Sequence, residues 1–214
     1  FAEEINIDLS EAISAIRCRE THKNIASPGF GVGGYCLTKD PLFGIQSAKE
    51  LFELSDNKFP FSTLAVDTNR RMTDRALGRL SQCLGTLNKK RILLVGLSYK
   101  NDIGDTRHSP SVAFYKKAMQ QGAFLTLTDP FVKYCDDLQS VVEDDIRKID
   151  FNSFDAIVFA VLHKQYHDKI FQMKLKTLDK SVFLFDACNL FHHLNLSKDL
   201  KNNDKFIIGK GRNQ

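Results

Sequence analysis

The sequence predicts an α/β protein in which an all-helical segment is followed by a doubly wound parallel sheet. Up to about residue 88, apolar residues recur at spacings of three and four, the period of an amphipathic helix. From Lys90 onward, short and nearly unbroken apolar runs alternate with helix-length segments, the pattern of strands buried on both faces and joined by crossovers. The change falls near residues 86–90 without a low-complexity linker or an internal repeat, which divides the chain into 1–88 and 89–214.

Taken in order, Ile5, Leu9, Ala12, Ile13 and Ile16 form one apolar stripe and predict a helix over 2–19. The chain opens on Phe1, not on methionine, with that stripe already under way, so it reads as entering partway along a longer helix. Polar residues 20–24 lead to a glycine-rich loop. After it, Leu42, Phe43, Ile45, Ala48, Leu51 and Phe52 predict a helix beginning near Leu37. A connection at 56–58 precedes a long helix from Pro60 to Leu84, with Leu64, Met72, Ala76, Leu77 and Leu80 on its apolar side and Gly85 as its C-cap. The runs 92–96, 124–128, 156–161, 182–185 and 206–208 read as strands, and Ser109-Pro110 as the N-cap and first residue of a helix.

Composition excludes several classes. A hydrophobic content of 43% and a charged content of 26% are those of an ordinary globular protein. The net charge of +4 comes from mixed charges, and no nucleic-acid motif accompanies it, so it fits small anionic ligands and gives no reason to expect nucleic acid. No apolar run approaches membrane-spanning length. The five cysteines are dispersed and form no C-x-x-C pair, which argues for reduced thiols and a cytoplasmic setting.

The stretch with most chemistry is Ser27-Pro28-Gly29-Phe30-Gly31-Val32-Gly33-Gly34-Tyr35-Cys36-Leu37-Thr38-Lys39-Asp40-Pro41. Four glycines within six residues let backbone approach a ligand closely and lead to a single thiol. A helix starting near Leu37 would put Cys36 at its N-terminus, where free N–H groups favour the thiolate, with Asp40 one turn away. The same residues also suit a flexible connector ending in a small buried cysteine. A second stretch, Gly96-Leu97-Ser98-Tyr99-Lys100-Asn101-Asp102-Ile103-Gly104-Asp105-Thr106-Arg107-His108-Ser109-Pro110-Ser111, follows the first strand, where such sheets bind ligands. It lacks G-x-G-x-x-G but carries Lys100 and Arg107, suited to oxyanions, or simply a solvated basic loop. Asp129-Pro130 ends the second strand and fits a ligand contact or a plain turn. His163 with His167, and His192 with His193, offer no complete zinc set, since Lys164 stands where H-E-x-x-H needs glutamate; they read as surface histidines. Cys36 with a distant histidine could also make a thiol hydrolase, but no protease-type sequence surrounds it.

Both long strings resemble the fingerprints of the nucleotide-sugar 6-dehydrogenases, the UDP-glucose/GDP-mannose dehydrogenase family, in the family's order and at about its separation. The resemblance covers essentially the whole chain but only the later part of that architecture: the central helical dimerisation region and the C-terminal, Rossmann-like UDP-sugar domain. The family's N-terminal NAD domain, and the catalytic lysine and asparagine of its early central helix, lie outside these residues. The resemblance implies NAD-dependent oxidation of a sugar C6 alcohol to a carboxylate in surface-polysaccharide precursor synthesis, with Cys36 as nucleophile and Asp40 serving the hydrolytic water. It implies that Ile25, Ala26, Ser27, Pro28, Gly29 and Gly33 hold the UDP-sugar, that Lys100 contacts it, and that Lys39 and Arg107 reach NAD. It further implies a homodimer, no metal, and a chain inactive by itself. One departure stands out: in Asp186-Ala187-Cys188-Asn189 a thiol occupies the place of the arginine in the family's Asp-x-Arg-Asn. The alternative is a nucleotide-sugar-binding or dimerisation module without chemistry.

Overall fold

The computed structural model describes residues 1–54, 59–196, 199–200 and 203–211; the connection expected at 56–58 lies outside them. The first helix, α1 (Leu9–Ile16), is less than half the expected length. Asp8 ends it by accepting the N–H groups of Ser10 and Glu11. Upstream, Asn6 adopts a φ of 58°, and Glu3 is drawn onto other elements, accepting the Gly209 N–H at 3.0 Å and pairing with Arg75 and Arg79 at 3.3 and 3.4 Å. The apolar stripe is real, but its first turns are spent on tertiary contacts.

Then come α2 (Phe43–Leu51) and the 25-residue α3 (Pro60–Leu84), which begins on proline and ends on Gly85 at φ 75°, as the sequence predicts. Val66, Thr73, Ala76, Leu77 and Leu80 of α3 are buried. Its first turns instead expose Phe61 (83%) and Leu64 (59%), while Phe43, Leu51, Phe52 and Leu54 in and after α2 are also exposed.

The second part follows the predicted strand pattern. β1 (Arg91–Val95), α4 (Pro110–Gln120) and β2 (Phe124–Thr128) make the first crossover, with Ser109 capping α4 through the Ser111 N–H. The helix-length segment from 129 to 155 forms a small antiparallel hairpin, β3 (Tyr134–Cys135) with β4 (Ser140–Val141), and short 3-10 turns. β5 (Ala156–Phe159), α5 (Lys169–Lys176), β6 (Phe183–Asp186), α6 (Leu190–His193) and β7 (Lys205–Ile207) complete the chain. Five strands make one parallel sheet in the order β2-β1-β5-β6-β7.

Alternate residues of β1 serve opposite cores, as the two-residue period of a strand requires. Ile92 and Leu94 join Leu77, Leu80, Phe114 and Phe185 on one face; Leu93 and Val95 join Phe159, Phe171 and Phe191 on the other. Phe30, from the glycine loop, belongs to the first core. The strand order reverses between β1 and β5, so the crevice beyond their carboxyl ends is the expected ligand seat of such a sheet.

Candidate functional site

The glycine loop is a fitted part, not a free connector. Phe30 is 4% exposed and stacks on Phe114 with centroids 4.8 Å apart. Asn69 of α3 holds Val32 by two hydrogen bonds, accepting its N–H and donating to its carbonyl, both at 2.7 Å. At Gly33 a Cβ would lie 2.7 Å from Tyr99 Cβ, 2.8 Å from Pro110 Cδ and 2.9 Å from the His108 carbonyl. The Gly34 N–H donates to the Arg107 carbonyl at 3.2 Å. The absence of side chains at these positions lets the two long sequence strings lie backbone against backbone.

The loop delivers Cys36 to the surface, where it is exposed. The expected helix at Leu37 does not form. Cys36 sits in a turn whose carbonyl accepts the N–H groups of Lys39 and Asp40, a 3-10 turn spans Asp40–Leu42, and α2 starts only at Phe43. Pro41 accounts for the delay, because it lacks the N–H that a helix begun at Leu37 would need to bond the Leu37 carbonyl. Helix-terminal activation of Cys36 therefore has no α-helix to come from.

Lys39 and Asp40 form an ion pair at 2.6 Å, and Lys39 also lies over the rings of Tyr35 and Phe43. The hydrogen bond to Asp40 leads the effects that hold the Lys39 ammonium above its ordinary range. Arg107 grips Asp105 with a closest contact of 2.6 Å, which raises the guanidinium and lowers the carboxyl, and stands 5.7 Å from the Tyr35 ring. Lys39, Arg107, Arg70 and Lys116 line one open cleft of about 700 Å³ between the glycine loop, α3 and α4. The two residues expected to reach a dinucleotide thus share one cationic cleft, next in sequence to the thiol.

A smaller cleft of about 210 Å³ lies at the sheet's switch point, between the ends of β1, β5 and β6. Ser27, Pro28 and Gly29 line it opposite Ser98, Tyr99 and Asn101, with Cys188 and His193 alongside. Ile25 and Ala26 are not among its lining residues; Arg17 binds the Ile25 carbonyl and donates to Ser27 Oγ at 3.0 Å, so Ile25 supports the wall from behind. Gly33 is half-buried in the contact between loops. Lys100 is exposed and lines neither cleft, although its neighbours on both sides line this one.

The Asp186–Asn189 segment is built for shape. The fully buried Asp186 accepts N–H groups of Cys188, Leu190 and Phe191, and Asn189 adopts the left-handed conformation that asparagine tolerates. Burial pushes the Asp186 carboxyl up against the pull of those amides, and burial followed by the charge of Asp186 pushes the Cys188 thiol up.

Sequence reasoning misjudged His163, which is fully buried. It approaches Asp129, also fully buried, at 3.2 Å, and Asp129 accepts the N–H groups of Leu97 and Ser98 at 2.7 and 3.0 Å. Asp129 follows directly on β2 and His163 lies four residues beyond the end of β5, positions that signal a role at the carboxyl edge of the sheet. His167, His192 and His193 are exposed. Among the described residues no group of three His, Cys, Asp or Glu side chains suits a metal ion, and no helix is long and apolar enough to cross a membrane.

Comparison with known proteins bears on this arrangement. Residues 1–71 match the UDP-glucose/GDP-mannose dehydrogenase family, central domain, and residues 93–193 match the same family's UDP binding domain. A UDP-N-acetyl-D-mannosamine dehydrogenase from Pyrococcus horikoshii is 34% identical over 171 residues, covering 78% of this chain and 37% of that protein. The structure of a UDP-D-ManNAc dehydrogenase from the same organism superposes with a TM-score of 0.67 at 27% identity, over 88% of this chain and 42% of that one. The crystal structure of an NDP-N-acetyl-D-galactosaminuronic acid dehydrogenase from Methanosarcina mazei Go1 shares the fold with a TM-score of 0.74 at 22% identity, over 98% of this chain and 45% of that one. The chain thus spans less than half the length of these relatives. With two successive regions of one family matched in order, this chain belongs to the UDP-glucose/GDP-mannose dehydrogenase family.

Proposed function

We propose that this chain is the central and UDP-sugar-binding part of an NAD-dependent nucleotide-sugar 6-dehydrogenase acting on a UDP-hexose or UDP-N-acetylhexosamine. The observation that carries the reading is the exposed Cys36 on a loop clamped between α3 and the loop after β1, beside the cleft lined by Lys39 and Arg107. The division at 1–88 and 89–214 belongs to the same reading, as do a cytoplasmic setting and a place in polysaccharide precursor synthesis.

In this reading Ser27, Pro28 and Gly29, with Ile25 and Ala26 leading into them, form the wall against which the UDP-sugar lies, and Gly33 lets the two loops close on it. Lys100, free to swing at the rim, contacts the bound substrate. The sugar C6 alcohol is oxidised to an aldehyde, whose carbon the Cys36 sulfur attacks to give a thiohemiacetal. A second oxidation leaves a thioester, and water assisted by Asp40 displaces the sulfur to release the carboxylate and return the thiol. NAD, when bound, accepts the hydride of each oxidation. Its fit here is partial: Lys39 and Arg107 would reach its phosphates, but among the described residues no strand is followed by a dinucleotide-type glycine turn. By itself this chain is expected to bind UDP-sugar weakly and not to turn over. The exposed apolar side chains of Phe43, Leu51, Phe52, Phe61 and Leu64 suit a homodimer contact through the helical region.

The test is alkylation of the intact chain followed by peptide mass spectrometry, with and without millimolar UDP-N-acetylglucosamine. Protection of Cys36, with Cys18 and Cys83 still modified, is the expected result. Equal modification of all three in the presence of ligand would count against the reading and favour a module without chemistry.

A further inference from the structure

We infer that His163 is a positioning residue that sets the course of the loop after β1 and, through it, the wall of the switch-point cleft. The inference rests on the proposed function only where it concerns the ligand.

His163 Nδ1 accepts the N–H of Asp102 at 2.9 Å. The ring proton therefore resides on Nε2, which faces Asp129 Oδ2 at 3.2 Å and Ser98 Oγ at 3.3 Å. Asp129 in turn takes the N–H groups of Leu97 and Ser98, while Asp102 Oδ1 accepts the Lys164 N–H at 2.8 Å. One imidazole thus fastens the loop at its root, through Asp129, and again at Asp102, four residues beyond Ser98. The Asp102 backbone is left-handed at φ 61°, a conformation that needs such support in a residue with a side chain. Between the two fastenings Tyr99 and Asn101 face the cleft, and Tyr99 is also the surface against which Gly33 and Gly34 pack.

The arrangement uses the neutral ring. A second proton on Nδ1 would face the Asp102 N–H, donor against donor. The charged groups around the ring are Asp129 at the end of β2 and Asp102 on the loop, the latter also paired with Lys164 at 3.5 Å; Phe131 and Tyr166 supply the ring contacts. A side chain that only filled space would not need an acceptor aimed at one amide.

Two variants separate these roles. His163→Leu keeps bulk and removes both polar contacts; His163→Asn keeps an acceptor near the Nδ1 position. In the wild-type chain a coupling across the hydrogen bond between the Asp102 amide nitrogen and His163 Nδ1 is expected by NMR. In His163→Leu, amide protection at Ser98 and Asp102 is lost while Ile92–Val95 keep theirs, and affinity for UDP-N-acetylglucosamine falls about tenfold, measured well below the melting temperature. His163→Asn restores the Asp102 protection and brings affinity to within about threefold of wild type. Loop protection and affinity unchanged in His163→Leu, whatever happens to Tm, overturns the inference, as does an Asn variant no better than Leu. If the wild-type chain does not bind the nucleotide sugar but the exchange pattern is as described, the positioning role is upheld and the reading of the cleft is lost.

Discussion

Asn69 pairs with the backbone of Val32 as a neighbouring strand would, with its Oδ1 accepting the Val32 N–H and its Nδ2 donating to the Val32 carbonyl, each at 2.7 Å. A helix side chain thereby fixes backbone four residues before the exposed thiol. Asn69→Ala removes both bonds at a partly solvated site, so a loss of about 1 kcal/mol in urea unfolding is expected. Asn69→Asp keeps the acceptor but sets a carboxylate oxygen against the Val32 carbonyl, so it should not restore stability. Faster exchange of the Val32 amide in both variants is the direct check.

Gly33 marks where the two sequence strings touch. Its φ is not in the left-handed region, so an alanine there would be resisted by space alone: Tyr99 Cβ, Pro110 Cδ and the His108 carbonyl would all lie within 2.9 Å of the new methyl. None of the three can rotate away, since a Cβ, a proline ring atom and a carbonyl oxygen all move only with their backbone. Gly33→Ala is expected to cost about 1–3 kcal/mol by overpacking. The accompanying change should be an altered rate of Cys36 alkylation, because the loop must lift from the α/β part to make room.

Phe30 is the apolar counterpart of these backbone contacts, stacked on Phe114 and 6.4 Å from Phe185. Phe30→Ala would leave a cavity where the glycine loop enters the core, at an expected cost of about 3–5 kcal/mol. Phe30→Leu should recover part of it. Equal melting temperatures for the wild type and the alanine variant would show that the loop is not docked in solution as it is here.

These contacts also show what the sequence could and could not convey. The five strands and α3 were legible because each is specified locally, by an apolar run, by a period, by Pro60 at one end and Gly85 at the other. The two strings were legible as a pair, but not their mutual fit, which depends on Gly33 meeting Tyr99 across 65 intervening positions. Local pattern misled where tertiary partners intervene: the stripe through Ile5 predicts helix, yet Glu3 is bound to Gly209, Arg75 and Arg79. It misled again at His163, because His-Lys-Gln-Tyr-His reads as polar surface and the buried acceptor role appears only when Asp102 and Asp129 are brought to it.

The two buried carboxylates at strand ends should respond to pH with opposite sign. For Asp129 burial pushes the pKa up, but the hydrogen bond with His163 and the amides of Ser98 and Leu97 outweigh it and leave the carboxyl below its ordinary value. Its contribution to stability is therefore present above the unfolded pKa, about 3.9, and is lost as pH falls through the lower folded value. For Asp186 burial prevails over its three amide donors, and the folded pKa is raised. Its folded form holds the proton longer than the unfolded chain does, so stability declines as pH rises from about 4 through the folded pKa. Urea unfolding from pH 3 to 7 should show a shallower acid loss in Asp129→Asn than in wild type, and a steeper rise with pH in Asp186→Asn, because the opposing slope has been removed. Slopes that both change in the same direction would mean that one of the two hydrogen-bond networks is not formed in solution.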